Sequence, residues 1–403
     1  MAEEMQRILS TGQGQEIVEL RDELRCIIWD PEWQPEESRL HVPGVRDPSE
    51  IGLKYVALQL TRGLKFEEFQ SREAAIADCI LQTYSWIFDP PFQVTTPDGE
   101  NTWSSFPDWL ERSSDPIYWI TGKPGSGKST MMKYILENPA LKTHLRHWAG
   151  DTPLLIARSY AWNAGATLQK SFGGLKRTLL YQILNQQPDL LPELMPRRWA
   201  YYSLLLQGIS QTPPWLDWEI DESFKFLLSM GGDKVRLVLF VDGLDEFDVP
   251  PKEVVDLHES TAASKCIKAC VASRPWVEFD DAYRDMPQCH MHLLTARDMR
   301  TFVAERFRGC RAFTTLRNIY PHEATRLLEE LTGKSNGVFV WLRVVVDSLV
   351  ESATEGCGIV ELQAVLDSLL TDLTLLYDAI WSRIPSDSQR RGVILLQLVE
   401  AAF

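Results

Sequence analysis

Residues 122–129 read Gly-Lys-Pro-Gly-Ser-Gly-Lys-Ser and follow directly on the apolar run Ile117-Tyr118-Trp119-Ile120. This match to G-x-x-x-x-G-K-[ST] constrains the chain more than any other feature, because it demands a buried strand, a tight loop and a helix in that order. The glycines permit a curvature and a closeness of approach that side chains would block. Successive backbone N–H groups from Gly125 to Lys128 can then curl around a phosphate. Lys128 is placed to bridge the β- and γ-phosphates as a point charge, and Ser129 to put its hydroxyl on Mg²⁺. The expected phosphate-binding set is Gly122, Lys123, Pro124, Gly125, Ser126, Gly127, Lys128, Ser129 and Thr130, with the N-terminus of the following helix adding its dipole.

Two further strand ends carry chemistry. In Arg236-Leu-Val-Leu-Phe-Val-Asp242-Gly-Leu-Asp245-Glu246 an apolar strand ends in an acid, 114 residues after Lys128. Asp242 at that position can hold Mg²⁺ directly or through water. Asp245 and Glu246 are candidate catalytic carboxylates able to polarise an attacking water. In Ala272-Ser273-Arg274-Pro275-Trp276, Arg274 stands at a strand's carboxyl end, where open sheets face their ligands, and its guanidinium can sense a γ-phosphate.

Strand and helix patterns alternate through this region. Strands are expected at Leu154–Ala157, Leu237–Val241, Ile267–Ala272 and His290–Leu294, with helices from Lys128 to Asn138, along Leu168–Ile183 and near 251–263. Alternation of this kind predicts a three-layer α/β fold on a parallel sheet, residues 116–295. A proline-rich excursion interrupts it between 188 and 215, where Trp199-Ala-Tyr-Tyr reads as irregular core packing. After Thr295 only helices are expected: one to about 308, opened by a Thr295/Asp298 capping box, then 321–331, 337–352, 359–369 and 371–384. This all-α domain spans 296–403 and looks truncated at Phe403.

Upstream, residues 61–115 form a helical lead-in. Ile76, Ile80, Tyr84 and Ile87 recur at helical spacing within 64–88, and Trp103 to Leu110 make a short amphipathic segment. Residues 1–60 hold a possible helix near 15–28 and have no assignable role.

Composition narrows the function. Among 403 residues the net charge is −15, and residues 1–50 carry twelve Asp/Glu against five Lys/Arg. That is not the footprint of a nucleic-acid binder. The seven Cys are scattered and read as reduced thiols. No secretory signal opens the sequence, and the longest apolar runs are too short to span a bilayer, which points to a cytoplasmic protein. His290/His292 and His144/His147 lack further ligands at zinc spacing and read as surface residues.

Taken together, Gly-Lys-Pro-Gly-Ser-Gly-Lys-Ser-Thr, Val-Asp-Gly-Leu-Asp-Glu-Phe and Ser-Arg-Pro-Trp resemble the NACHT-type NTPases of the STAND class. The likeness is greatest to those of fungal NOD-like receptors and heterokaryon-incompatibility proteins. Trp162-Asn163-Ala164-Gly165, Leu168-Gln169-Lys170-Ser171, Leu179 to Leu184 and Gly337-Val338-Phe339-Val340-Trp341 extend it over about residues 64–400. Members carry an Arg-Glu pair in a base-binding stretch upstream of the phosphate loop, which the resemblance carries onto Arg72-Glu73. A winged-helix region and C-terminal repeats, which the family also has, are not found in this sequence.

The resemblance implies a Mg²⁺-dependent signalling switch with slow hydrolysis, and nucleotide-controlled self-association or signalling protein partners in the full-length form. Without an Asn-Lys-x-Asp element, ATP is favoured over GTP. A turnover ATPase or small-molecule kinase, and a non-hydrolysing nucleotide-binding scaffold, are the alternatives.

Overall fold

The structure, a computed structural model, describes residues 22, 25–31, 33, 50–79, 83–91, 103–112, 115–204, 213–230, 234–255, 264, 266–368, 381, 389–390, 392–394 and 397. Five strands, β1 (Ile117–Thr121), β2 (Leu154–Tyr160), β3 (Arg236–Asp242), β4 (Ile267–Ser273) and β5 (Gln288–His290), form one parallel sheet in the order β2-β3-β4-β1-β5. Every residue of β1 and β4 is buried. Such continuous burial follows from helices covering both faces, the α/β arrangement expected from the sequence. Alternate side chains of β1 feed two cores. Trp119 packs with Leu179, Leu239 and Phe279 on one face, and Tyr118 and Ile120 pack with Met131, Ile135 and Phe240 on the other.

Register decides where the chemistry sits. Tyr160 lies opposite Asp242, Asp242 opposite Ala272, and Ala272 opposite Ile120. The loops that leave β1, β2, β3 and β4 therefore emerge side by side at one end of the sheet, the carboxyl end where such folds place their ligands.

The two sheet edges are closed in different ways. On β2, Gln186 accepts from Ile156 N and donates to Ile156 O, and Gln182 does the same for Arg158. These two amides, four residues apart on helix Phe172–Gln186, stand in for a missing strand and blunt an edge that would otherwise recruit one. On β5, Ser104 N donates to Gln288 O and Trp103 bridges Cys289 antiparallel.

Several local expectations give way to tertiary context. The periodicity over 64–88 predicts one helix; instead, helix Ser71–Ala75 stops at Ile76 with extended backbone, and Tyr84 takes a left-handed conformation before a 3-10 turn at Ser85–Phe88. Ile76, Tyr84 and Ile87 are all buried, so the repeat reported burial and not helicity. The last strand ends at His290 and residues 291–294 turn helical. Prolines in the excursion open helices instead of breaking them, as at Pro196–Leu204, where Tyr201 and Tyr202 are buried. Thr295 makes no side-chain cap; its hydroxyl donates to Met291 O, and Asp298 is engaged elsewhere.

Helices Ala296–Arg308, Arg311–Ile319, Pro321–Lys334, Phe339–Thr354 and Ile359–Ser368 form a bundle with its own core around Leu327, Trp341, Leu349 and Leu362. Helix Arg311–Ile319 was not expected from the sequence. Of the helices expected near 15–28, 251–263 and 371–384, residues 22, 25–28, 251–255 and 381 are helical and the remainder lies outside the described residues. All seven cysteines are free. No described helix is long and apolar enough to cross a membrane.

Candidate functional site

The glycine loop adopts the backbone its sequence calls for. Gly125 and Gly127 both take positive φ, 72° and 96°. A Cβ on Gly127 would lie 2.4 Å from the Tyr84 hydroxyl, and one on Gly125 would lie 3.1 Å from Val340. Glycine is thus required here by conformation and by what packs against the loop. Helix Lys128–Glu137 starts immediately after, with Gly127 as its N-cap.

Lys128 Nζ donates to the carbonyls of Gly122 at 2.7 Å and Lys123 at 3.2 Å. Burial pulls its pKa down, while Asp245 and Asp242 push the other way. The Ser126 hydroxyl is buried with no partner. An unpartnered donor beside a lysine that rests on its own loop's carbonyls fits a cradle for anionic oxygens. Ser129 hydrogen-bonds the Asp242 carboxyl, whose pKa burial raises to about 6. That pairing of one hydroxyl and one carboxylate matches the sparse protein ligation of Mg²⁺, which takes its remaining oxygens from phosphate and water. Among the described residues no group of three or more His, Cys, Asp or Glu forms a self-sufficient metal site.

The two downstream acids are not equivalent. Asp245, with its side chain almost fully buried, accepts from Arg274 N at 2.9 Å through Oδ1 and from Arg274 Nε at 2.9 Å through Oδ2. Among the described residues, Glu246 accepts from Asn163 N at 3.1 Å through Oε2. Residue type did not distinguish them; the positions of β2 and β4 beside β3 did.

Pro124 to Thr130, Asp242, Asp245, Glu246 and Arg274 line one cavity of about 670 Å³, whereas Gly122 and Lys123 lie outside its lining; the volume is within the usual range for ligand sites. Its far wall is supplied by Ile76–Cys79 and Tyr84 from the lead-in and by Phe302, Phe339 and Val340 from the helical bundle. Arg72 also lines it, with its guanidinium 5.6 Å over the Trp162 ring and close enough to lower the Asp242 pKa. It therefore stands toward the Asp242 end, while the apolar wall lies with the segment that follows it.

The bundle is tied directly to the loop. Val340 N donates to Gly125 O at 3.1 Å, and Lys123 Nζ donates to Asn336 O at 3.3 Å. Asp298 accepts from Trp86 Nε1 at 2.8 Å and Tyr84 N at 3.3 Å, linking the bundle's first helix to the lead-in. None of these contacts was legible in the sequence, although the segment Gly337–Trp341 had been marked by resemblance. His290 contacts Gln288, and His292, pushed down to about 4 by burial, sits near Lys123 and Lys128; among the described residues the two belong to no group of three or more metal-ligating side chains.

Residues 101–274 match the family described as Nephrocystin 3, N-terminal. The match runs from just before Trp103 through the glycine loop and Asp242 to Arg274. Over 285 residues the chain is 22% identical to the vegetative incompatibility protein HET-E-1 of Podospora anserina, a similarity covering 69% of this chain. The chain spans 19% of the length of that relative.

Proposed function

We propose that this chain, a NACHT-type P-loop NTPase similar to fungal incompatibility proteins, works as a nucleotide-controlled switch whose two states differ in how the helical bundle sits on the phosphate loop. The observation that carries this reading is the Val340–Gly125 hydrogen bond. It makes one backbone carbonyl of the cradle a contact of the bundle, so a change in loop geometry on phosphate binding is felt by the bundle. A ligand shifts such an equilibrium only through differential affinity for the two states, and a phosphate that reshapes the Gly125 carbonyl would favour one seating of the bundle over another.

Lys128 would exchange the carbonyls of Gly122 and Lys123 for β- and γ-phosphate oxygens. Asp242 and Ser129 would hold Mg²⁺, which when bound supplies the positive charge between those oxygens. Arg274, fixed by Asp245, would read the γ-phosphate. Glu246, with Oε1 uncommitted, would position the attacking water. Ile76, Tyr84, Phe302 and Phe339 would enclose the base. ATP is the favoured nucleotide over GTP, and self-association through surfaces released by bundle movement is the expected output.

The uncommitted oxygen of Glu246 favours slow hydrolysis over a purely structural nucleotide. Measuring nucleotide release by stopped flow beside single-turnover hydrolysis tests the reading. A switch of this kind hydrolyses its nucleotide slowly and turns over far below the ~10 s⁻¹ typical of metabolic enzymes. Sustained turnover at that rate would instead make the protein an enzyme in the ordinary sense.

A further inference from the structure

A second cavity, about 830 Å³, lies against the outer edge of the sheet along β2. Segment Phe66–Glu73, helix Pro139–Ala149 and helix Phe172–Gln186 wall it in, and the phosphate loop takes no part. Arg72 is the residue it shares with the nucleotide cavity. We propose that this cavity is a binding site for a small anion carried on an aromatic or apolar group, distinct from the nucleotide cradle.

Charge gives the first argument. In a chain of net charge −15, the cavity gathers Arg72, Lys142, Arg146 and Arg158 against the single carboxylate Glu73. Glu73 is already paired with Arg158 Nε at 2.7 Å. Lys142 and Arg146, one helical turn apart on the rim, make no ion pair among the described residues. A concave wall of one sign concentrates counter-ions far more than the same charges spread over a convex surface.

Unused hydrogen-bonding capacity gives the second. The Tyr160 hydroxyl and Arg72 Nε are both buried without a partner, and both residues line this cavity. Tyr160 is over nine-tenths buried. Native folds seldom leave such groups unsatisfied, and those they do leave call for an explanation, an absent ligand among them.

The third argument narrows the ligand. An exposed strand edge would suit a peptide pairing with β2, but Gln182 and Gln186 already occupy both hydrogen-bonding groups of Ile156 and Arg158. A compact molecule is left as the occupant. Phe69 and Tyr181 stack edge-on at 4.8 Å in the same wall, with Lys65 Nζ 5.4 Å over the Tyr181 ring, so ring surface and positive charge stand together and the ligand's body is ring-like or apolar.

The test uses 1-naphthyl phosphate as probe, titrated by calorimetry into wild-type protein and into Lys128→Ala, which cripples the phosphate cradle. Saturable one-to-one binding that survives Lys128→Ala is expected. Binding should weaken on the order of tenfold in Arg146→Glu and in Lys142→Glu, as removal of a charge-assisted contact predicts. Tyr160→Phe, which deletes one oxygen from a side chain the fold otherwise keeps, should weaken it too. Both rim residues are exposed, so the reversals leave the core intact, and unchanged melting curves check this. Inorganic phosphate and uncharged 1-naphthol should each bind more weakly than the probe. 1-Naphthoate decides between a carboxylate and a phosphate as the natural anion, and binding of either kind supports the site. Loss of binding in Lys128→Ala would place the probe in the nucleotide cradle and overturn the proposal. So would absence of saturation, or affinity indifferent to both charge reversals.

Discussion

Asp245 holds Arg274 by two bonds at once, one to its backbone N–H and one to its guanidinium, each 2.9 Å long. Asp245, one residue before Glu246, is thereby committed to fixing the end of β4. The carboxylate is buried, the arginine side chain is 43% exposed, and Arg274 lines the nucleotide cavity. The pair's contribution to stability is modest, since solvent screens the exposed partner.

Two neighbouring acids should consequently fail in different ways. Glu246→Gln is expected to leave nucleotide affinity near wild type and slow single-turnover hydrolysis on the order of 10²- to 10⁴-fold, the usual worth of general-base assistance. Asp245→Asn should release Arg274 and reduce the preference for triphosphate over diphosphate. Equal losses of hydrolysis and equal nucleotide preference in the two variants would refute this division of labour.

Lys128→Ala removes the one ammonium that rests inside the loop. Triphosphate affinity should drop by about 10- to 150-fold, corresponding to about 1.5–3 kcal/mol for a charge-assisted contact. Titration with a fluorescent triphosphate measures it, and unchanged affinity would remove the cradle assignment.

On the proposed reading, Asp242 would make the metal-dependent part of binding sensitive to pH. Its carboxyl is raised to about 6 by burial, so the proton is bound below that pH and must leave before Mg²⁺ can be held. The Mg²⁺-dependent gain in triphosphate affinity should be full above pH 6 and fall by up to about tenfold per unit as pH drops below it. Asp242→Asn, which has no proton to lose, should show no such gain at any pH. A gain persisting undiminished at pH 5 in wild type would contradict the assignment.

Gly127→Ala meets two separate obstacles, a φ of 96° and the Tyr84 hydroxyl 2.4 Å from the new Cβ. The left-handed backbone alone costs about 1–2 kcal/mol. Adding Tyr84→Phe takes away the colliding oxygen and leaves the backbone strain. Nucleotide binding and melting temperature should therefore recover in part in the double variant. Simple additivity of the two single losses would show that the contact is not the obstacle.

The glycine loop, the acid that ends β3 and the parallel α/β core were readable from the chain alone because each is a local pattern. Gly125 and Gly127 encode backbone that only glycine adopts freely, and the runs ending at Thr121, Asp242 and Ser273 encode strands buried on both faces. What one sequence could not assign were pairings between distant segments. Asp245 and Glu246 are chemically alike and adjacent, and only β2 and β4 packing beside β3 gives one to Arg274 and the other to Asn163. The spacing of Ile76, Tyr84 and Ile87 reported burial, but the lead-in is folded by Asp298, more than two hundred residues later, whose carboxylate holds Tyr84 N and Trp86 Nε1. Likewise Val340 is an ordinary apolar helix residue until tertiary packing sets its N–H against Gly125 O. Local propensity is a property of a few residues at a time, whereas satisfying a buried polar group depends on which segment arrives beside it, and that is decided only when the whole core closes.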